Sequence, residues 1–167
     1  MRKKPLSSKK LTAILMKILG TGVFICTILL LLVLTIPRFL GFDTFNIVSG
    51  SMEPEIPVGS MIFVKSVDCH ELKEGDIIAF YSNEVPVCHR VMENNTFSNT
   101  LVTKGDANES EDFRATDYKE VIGIVKYHLP LFGNIGAYIS TVSGKLLIVE
   151  IIAVCVLLHL IAERLNQ

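Results

Sequence analysis

The sequence has no basic excess. Its 16 lysines and arginines face 17 carboxylates, for a formal net charge of −1 at pH 7. Binding to a phosphate backbone needs a cationic footprint, so this balance argues against a nucleic-acid partner. Charge of either sign is also missing from two long stretches. None occurs between Ile18 and Ile36, and the run from Leu146 to Ala162 carries only Glu150 and His159. Between these stretches no long segment of helical period appears, which points away from a helical domain there. Internal repeats and low-complexity tracts are absent as well.

The nineteen uncharged residues from Ile18 to Ile36 are enough to cross about 30 Å of hydrocarbon at about 1.5 Å per residue. The seventeen from Leu146 to Ala162 sit at the short end of the spanning range. Arg2, Lys3, Lys4, Lys9 and Lys10 precede the first run. By the positive-inside rule they hold the N-terminus in the cytoplasm and send the middle of the chain across the membrane. A cleaved signal peptide has the same basic-then-apolar order. This run is too long for such a core, however, and Thr35-Ile36-Pro37-Arg38-Phe39 offers no small-x-small cleavage site. The expected organisation is a basic cytoplasmic tail over 1–10, a signal anchor over 11–36 and an exported domain over 37–131. A connection over 132–144, a second transmembrane helix over 145–162 and a cytoplasmic tail over 163–167 follow. Phe39, Leu40 and Phe42 are expected at the membrane surface.

Within the exported region short apolar runs alternate with turn residues. Strands are expected at 60–65, 76–81, 85–92, 100–103 and 121–127, after a first segment near 45–48. Glu74-Gly75-Asp76, Ser82-Asn83-Glu84 and Glu93-Asn94-Asn95 carry the turn chemistry between them. The expected fold is therefore a mainly β domain flanked by an N-terminal and a C-terminal membrane helix. Asn94-Asn95-Thr96 and Asn108-Glu109-Ser110 match the pattern for N-glycosylation. Of the four cysteines, Cys26 and Cys155 lie inside the apolar runs. Cys69 and Cys88 lie in the exported region, where a disulfide between them is open.

Ser51 stands in Ser49-Gly50-Ser51-Met52-Glu53-Pro54, a turn-forming segment that aims its hydroxyl outward. A serine nucleophile needs a base. His89 lies in Val87-Cys88-His89-Arg90-Val91, where strand alternation puts it between two valines on one face. Either Asp106, in Lys104-Gly105-Asp106-Ala107-Asn108, or Asp112 could bond a ring nitrogen of that histidine and fix its tautomer. The pairs Cys69-His70 and Cys88-His89 contain zinc-type ligands, but neighbours on a strand face opposite ways and the spacing within each pair is wrong for zinc. No metal or other cofactor is implied.

The ordered segments Ser49 to Pro54, Gly75-Asp76-Ile77-Ile78-Ala79-Phe80, His89-Arg90-Val91 and Lys104 to Asn108 resemble the boxes of the type I signal peptidases. The likeness is to the branch of the endoplasmic reticulum, the archaea and some spore-forming bacteria, and it covers about 45–127. It implies the β fold of that family, Ser51 as nucleophile and His89 as general base. Where the other bacterial branch has lysine, lowering that amine from about 10.4 to about 7 takes roughly 4.6 kcal/mol. Histidine starts near its working range and needs orientation instead. The resemblance favours Asp112 as the orienting acid, with Asp106 supporting the site, and gives Ser49 a place in the oxyanion hole beside the Ser51 N–H.

The implied function is membrane-bound cleavage of signal peptides from exported preproteins on the outer face of the membrane, most simply the cell membrane. The alternative is a non-catalytic membrane subunit that binds exported segments. Membrane lipid and signal-bearing preproteins are the expected partners, with accessory subunits left open. Only fourteen residues separate Ile36 from Ser51, a reach of at most about 50 Å, so the site is expected close to the lipid surface.

Overall fold

A computed structural model describes residues 8–166 of the chain, so Arg2, Lys3 and Lys4 of the basic cluster lie outside the described residues. Helix α1 (Ser8–Phe39) is followed by strands β1 (Asp43–Asn46), β2 (Met61–Lys65), β3 (Ile77–Ser82), β4 (Val85–Asn95), β5 (Thr100–Lys104), β6 (Thr116–Asp117) and β7 (Val121–Leu129). Helices α2 (Phe132–Ser140) and α3 (Val142–Asn166) end the chain. Internal contacts divide it into a helical unit and a β unit, Ile36–Ala137.

In the helical unit, α1 and α3 have mean hydropathies of 2.6 and 2.5 over their most apolar windows and are long and apolar enough to cross a membrane. They touch where a side chain is missing. A Cβ on Gly20 would lie 3.0 Å from the His159 ring. The Nδ1–H of His159 donates to the Cys155 carbonyl at 2.9 Å, and its Nε2 then accepts from the Thr21 hydroxyl at 3.1 Å. Between two spans such a bond is worth about 0.6–1.7 kcal/mol. Helix α1 runs past Ile36, where the uncharged run ends, through Pro37 to Phe39. Its end is a Schellman turn: Phe42 N–H bonds to Pro37 O, Gly41 N–H bonds to Arg38 O, and Gly41 takes the left-handed conformation at φ +78°.

The β unit is one seven-stranded antiparallel sheet in the order β1-β2-β7-β3-β4-β5-β6. Both faces of the sheet are covered. Met52, Ile56, Ile62, Val64, Ala79 and Cys88 pack together on one side. Leu72, Ile78, Phe80, Val91 and Leu101 pack on the other. Alternation along β3 sends Ile77 and Ala79 to the first cluster and Ile78 and Phe80 to the second. Strands β3 and β4 are joined by the two residues Asn83 and Glu84, both at positive φ (50° and 65°), as the right-handed twist of a tight hairpin requires.

Two expectations change here. Glu93-Asn94-Asn95 is not a turn: β4 continues to Asn95, and the chain reverses at 96–99. The cause is a bulge after Val91, together with the use made of Asn94. Its amide donates to the carbonyls of Cys69 (2.9 Å) and Leu72 (2.8 Å), and its side-chain oxygen accepts from the Tyr118 hydroxyl. The open disulfide is also absent. All four cysteines are free, with Cys88 in one cluster and Cys69 packed against the other.

Asn94→Ala leaves two carbonyls and a phenol without their partner and is expected to cost about 1–3 kcal/mol, read as a lower denaturation midpoint of the full chain in detergent. An unchanged midpoint would show that water replaces the asparagine.

Candidate active site

Strand β4 fixes the direction of His89. Cys88 points into one core cluster, while Val87 and Val91 point towards the other, so His89 emerges on the Val87–Val91 face with its ring edge-on to Phe80 at 6.1 Å. Only 8% of the residue is exposed. Its Nδ1–H donates to Asp112 Oδ2 at 2.6 Å. Nε2, on the far edge of the ring, has no hydrogen-bond partner among the described residues and is the nitrogen available to take a proton. The neighbouring Cys88 thiol is pushed up to about 12 by burial, with the Asp106 charge adding to the effect. It stays protonated and is no competing nucleophile.

The two aspartates left open by the sequence have separate partners. Asp112 Oδ2 receives His89 and also the Thr103 hydroxyl, at 2.6 Å. Asp106 turns to Arg90 instead: Nε donates to Oδ1 at 2.8 Å and Nη2 to Oδ2 at 2.6 Å, the two-pronged geometry that suits guanidinium and carboxylate. This hydrogen bonding raises the Arg90 pKa further above its ordinary value. A third Arg90 donor, Nη1, reaches the Gly75 carbonyl at 2.8 Å.

Ser51 sits in a single 3-10 turn, Gly50–Met52, whose Met52 side chain is buried in the core beside Cys88. The pairing of β5 with β4 begins at Arg90 opposite Lys104, and the serine turn packs against β4. The Ser51 carbonyl accepts from Ala107 N–H at 2.9 Å. Gly105 permits this approach, because a Cβ there would stand 2.7 Å from the same carbonyl oxygen. Ser49 Oγ lies 3.5 Å from Ser51 Oγ. No hydrogen bond joins Ser51 to His89 in this structure. In unliganded sites such bonds are often long and tighten only around substrate.

Two cavities open beside these residues. One of about 310 Å³ is lined by Phe80, Val87, His89, Asp112 and Phe113 among others. A smaller one of about 130 Å³ lies between Phe45 and Ile47 on one side and Pro86, Val87 and Cys88 on the other. Among the described residues no three His, Cys, Asp or Glu side chains converge as a metal site.

Sequence reasoning missed Thr103 and gave Arg90 no role. Thr103 had a signal in its position, one residue before the Lys104 to Asn108 segment. Arg90 had none that strand alternation could supply, since its partner depends on how a distant loop folds.

The model of the family described as signal peptidase, peptidase S26, matches residues 19–124, which include Ser51, His89, Asp106 and Asp112. Signal peptidase I W of Bacillus subtilis is 33% identical over 112 residues, 58% of this chain and 59% of that protein. The signal peptidase complex catalytic subunit SEC11 of Candida albicans (strain WO-1) is 33% identical over 106 residues, 56% of this chain and 63% of that one. The SEC11 subunit of Debaryomyces hansenii is 32% identical over 107 residues, with 56% and 64% covered. The chain belongs to the peptidase S26 family of signal peptidases. It matches less than two thirds of the length of each of these relatives.

Gly105→Ala puts a methyl group against the Ser51 carbonyl and is expected to lower stability by about 1–3 kcal/mol, measured by chemical unfolding of the detergent-solubilised chain. A midpoint equal to that of the parent would mean that the two segments part at no cost.

Proposed function

We propose that this chain is a membrane-bound serine endopeptidase that removes N-terminal signal peptides from exported preproteins. The observation that carries the reading is the His89–Asp112 pair, set on the strand against which the Ser51 turn packs. In the proposed reaction Ser51 Oγ attacks the scissile carbonyl while His89 Nε2 takes its proton. The same nitrogen then returns the proton to the leaving amine. Asp112 holds the tautomer with hydrogen on Nδ1 and stabilises the imidazolium. Asp106 serves the site indirectly, by fixing through Arg90 the loop that grips the Ser51 carbonyl. The Ser51 N–H and the Ser49 hydroxyl would bind the oxyanion.

The substrate is proposed to enter as an extended strand. The Val85–His89 part of β4 is paired with β3 on one side only, since its pairing with β5 starts at Arg90. An added strand would find free backbone groups along that edge and small apolar side chains would drop into the 130 Å³ cavity. Both membrane helices would leave their tails in the cytoplasm and the β unit on the extracytoplasmic or lumenal face. The domain boundaries expected from sequence, from a tail over 1–10 to one over 163–167, belong to the same proposal, with α1 and α3 running a few residues past the expected spans at both ends.

Ser51→Ala and His89→Ala are each expected to leave a signal-bearing precursor uncleaved by the purified full-length chain, while the variants still insert in membranes. Processing by either variant would refute the assignment. His89→Lys is expected to leave the precursor uncleaved as well, because an amine has no second nitrogen for Asp112 to orient. Processing by the lysine variant would contradict a histidine base.

Ser49→Ala is expected to lower kcat by roughly 10²–10³ with KM little changed. A variant with normal turnover would remove Ser49 from the oxyanion site.

A further inference from the structure

We propose that Thr103 is a positioning residue for the His89–Asp112 pair, an inference that rests on the peptidase reading above. Thr103 lies on β5 directly opposite Val91 of β4. Residues in direct opposition share a face of the sheet, and so do His89 and Val91, two apart on one strand. Thr103 and His89 are therefore diagonal neighbours on one face, and the Asp112 carboxylate bonds to both.

The bonding between Thr103 and Asp112 is double. Asp112 N–H donates to the Thr103 carbonyl at 2.8 Å, and the Thr103 hydroxyl donates to Asp112 Oδ2 at 2.6 Å. The first bond returns the loop to β5 opposite Val91, two residues along β4 from His89. The second fixes the rotation of the carboxyl group. The oxygen it holds is the one that accepts His89 Nδ1–H. Fixing it matters because the Asp112 side chain is 22% exposed, so water competes for the same oxygen. Thr103 itself is fully buried, and its β-branched side chain leaves χ1 little freedom. With the residue fully buried, water cannot take the place of its hydroxyl.

A hydroxyl that merely satisfied its own buried oxygen would leave catalysis untouched when removed together with its need for a partner. A positioning hydroxyl would not. Thr103→Val keeps the shape and deletes the donor, whereas Thr103→Ser keeps the donor. In the full-length chain the valine variant is expected to lose at least about tenfold in kcat, with KM within about twofold. The serine variant is expected to recover most of that loss. In an Asp112→Asn background, the valine substitution is expected to add less than about a twofold further loss, because the group it positions is already disabled. Thr103→Cys, a weak donor of similar size, is the second variant should valine fold poorly, and is expected to fall between serine and valine. A kcat unchanged by valine, or reduced equally with and without Asp112, would overturn the proposal.

One readout does not depend on turnover. The downfield Nδ1–H proton resonance of His89 is expected to persist in the serine variant and to broaden or vanish in the valine variant. Its full retention in the valine variant would also overturn the role of Thr103. If the parent chain shows no Ser51-dependent cleavage, the proposed function fails, and this resonance still decides whether Thr103 orders the pair.

Discussion

The paired bond between Arg90 and Asp106 is the joint on which the site depends. Arg90 follows His89 on β4 and points to the opposite face. From there it holds the Gly75 carbonyl with one nitrogen and Asp106 with two more. The loop so held presents Ala107 N–H to the Ser51 carbonyl. Four segments far apart in sequence are thereby tied together through one guanidinium and one amide. A lysine at this position would offer a point charge in place of the planar fork, and could not span both partners in the same way.

The arrangement divides labour between two carboxylates only six residues apart. Asp106 is spent on an ion pair and is the less exposed of the two. Asp112 bonds the imidazole and a hydroxyl, so that in the proposed reaction its charge would face the histidine as it becomes cationic. A permanent cation beside Asp112 would compete for that charge. Placing Arg90 on the other face of the strand keeps such a cation away from the carboxylate.

Much of this was legible in the sequence, because strand alternation is a local property. It placed His89 between Val87 and Val91 and sent Cys88 the other way, and the structure has both. The bend at Ser51 was readable from its glycine and proline neighbours. The choice between Asp106 and Asp112 was not, since both lie in a loop whose path is set by Arg90 and Thr103. The error at Glu93-Asn94-Asn95 has the same origin. Asparagine is a turn former by local chemistry, but Asn94 has carbonyl partners near Cys69 and Leu72 that no local rule reveals. Gly105 was seen as part of a motif, while its reason, a backbone carbonyl 2.7 Å from where its Cβ would be, belongs to the tertiary structure.

The unpaired thiols carry a consequence of a different kind. With Cys69 and Cys88 on opposite faces and all four cysteines free, nothing covalent in the β unit records the redox poise of its surroundings. Its stability comes from packing, hydrogen bonding and ion pairing, none of which requires an oxidant. Such a domain has no step in its assembly that waits for a disulfide-forming enzyme.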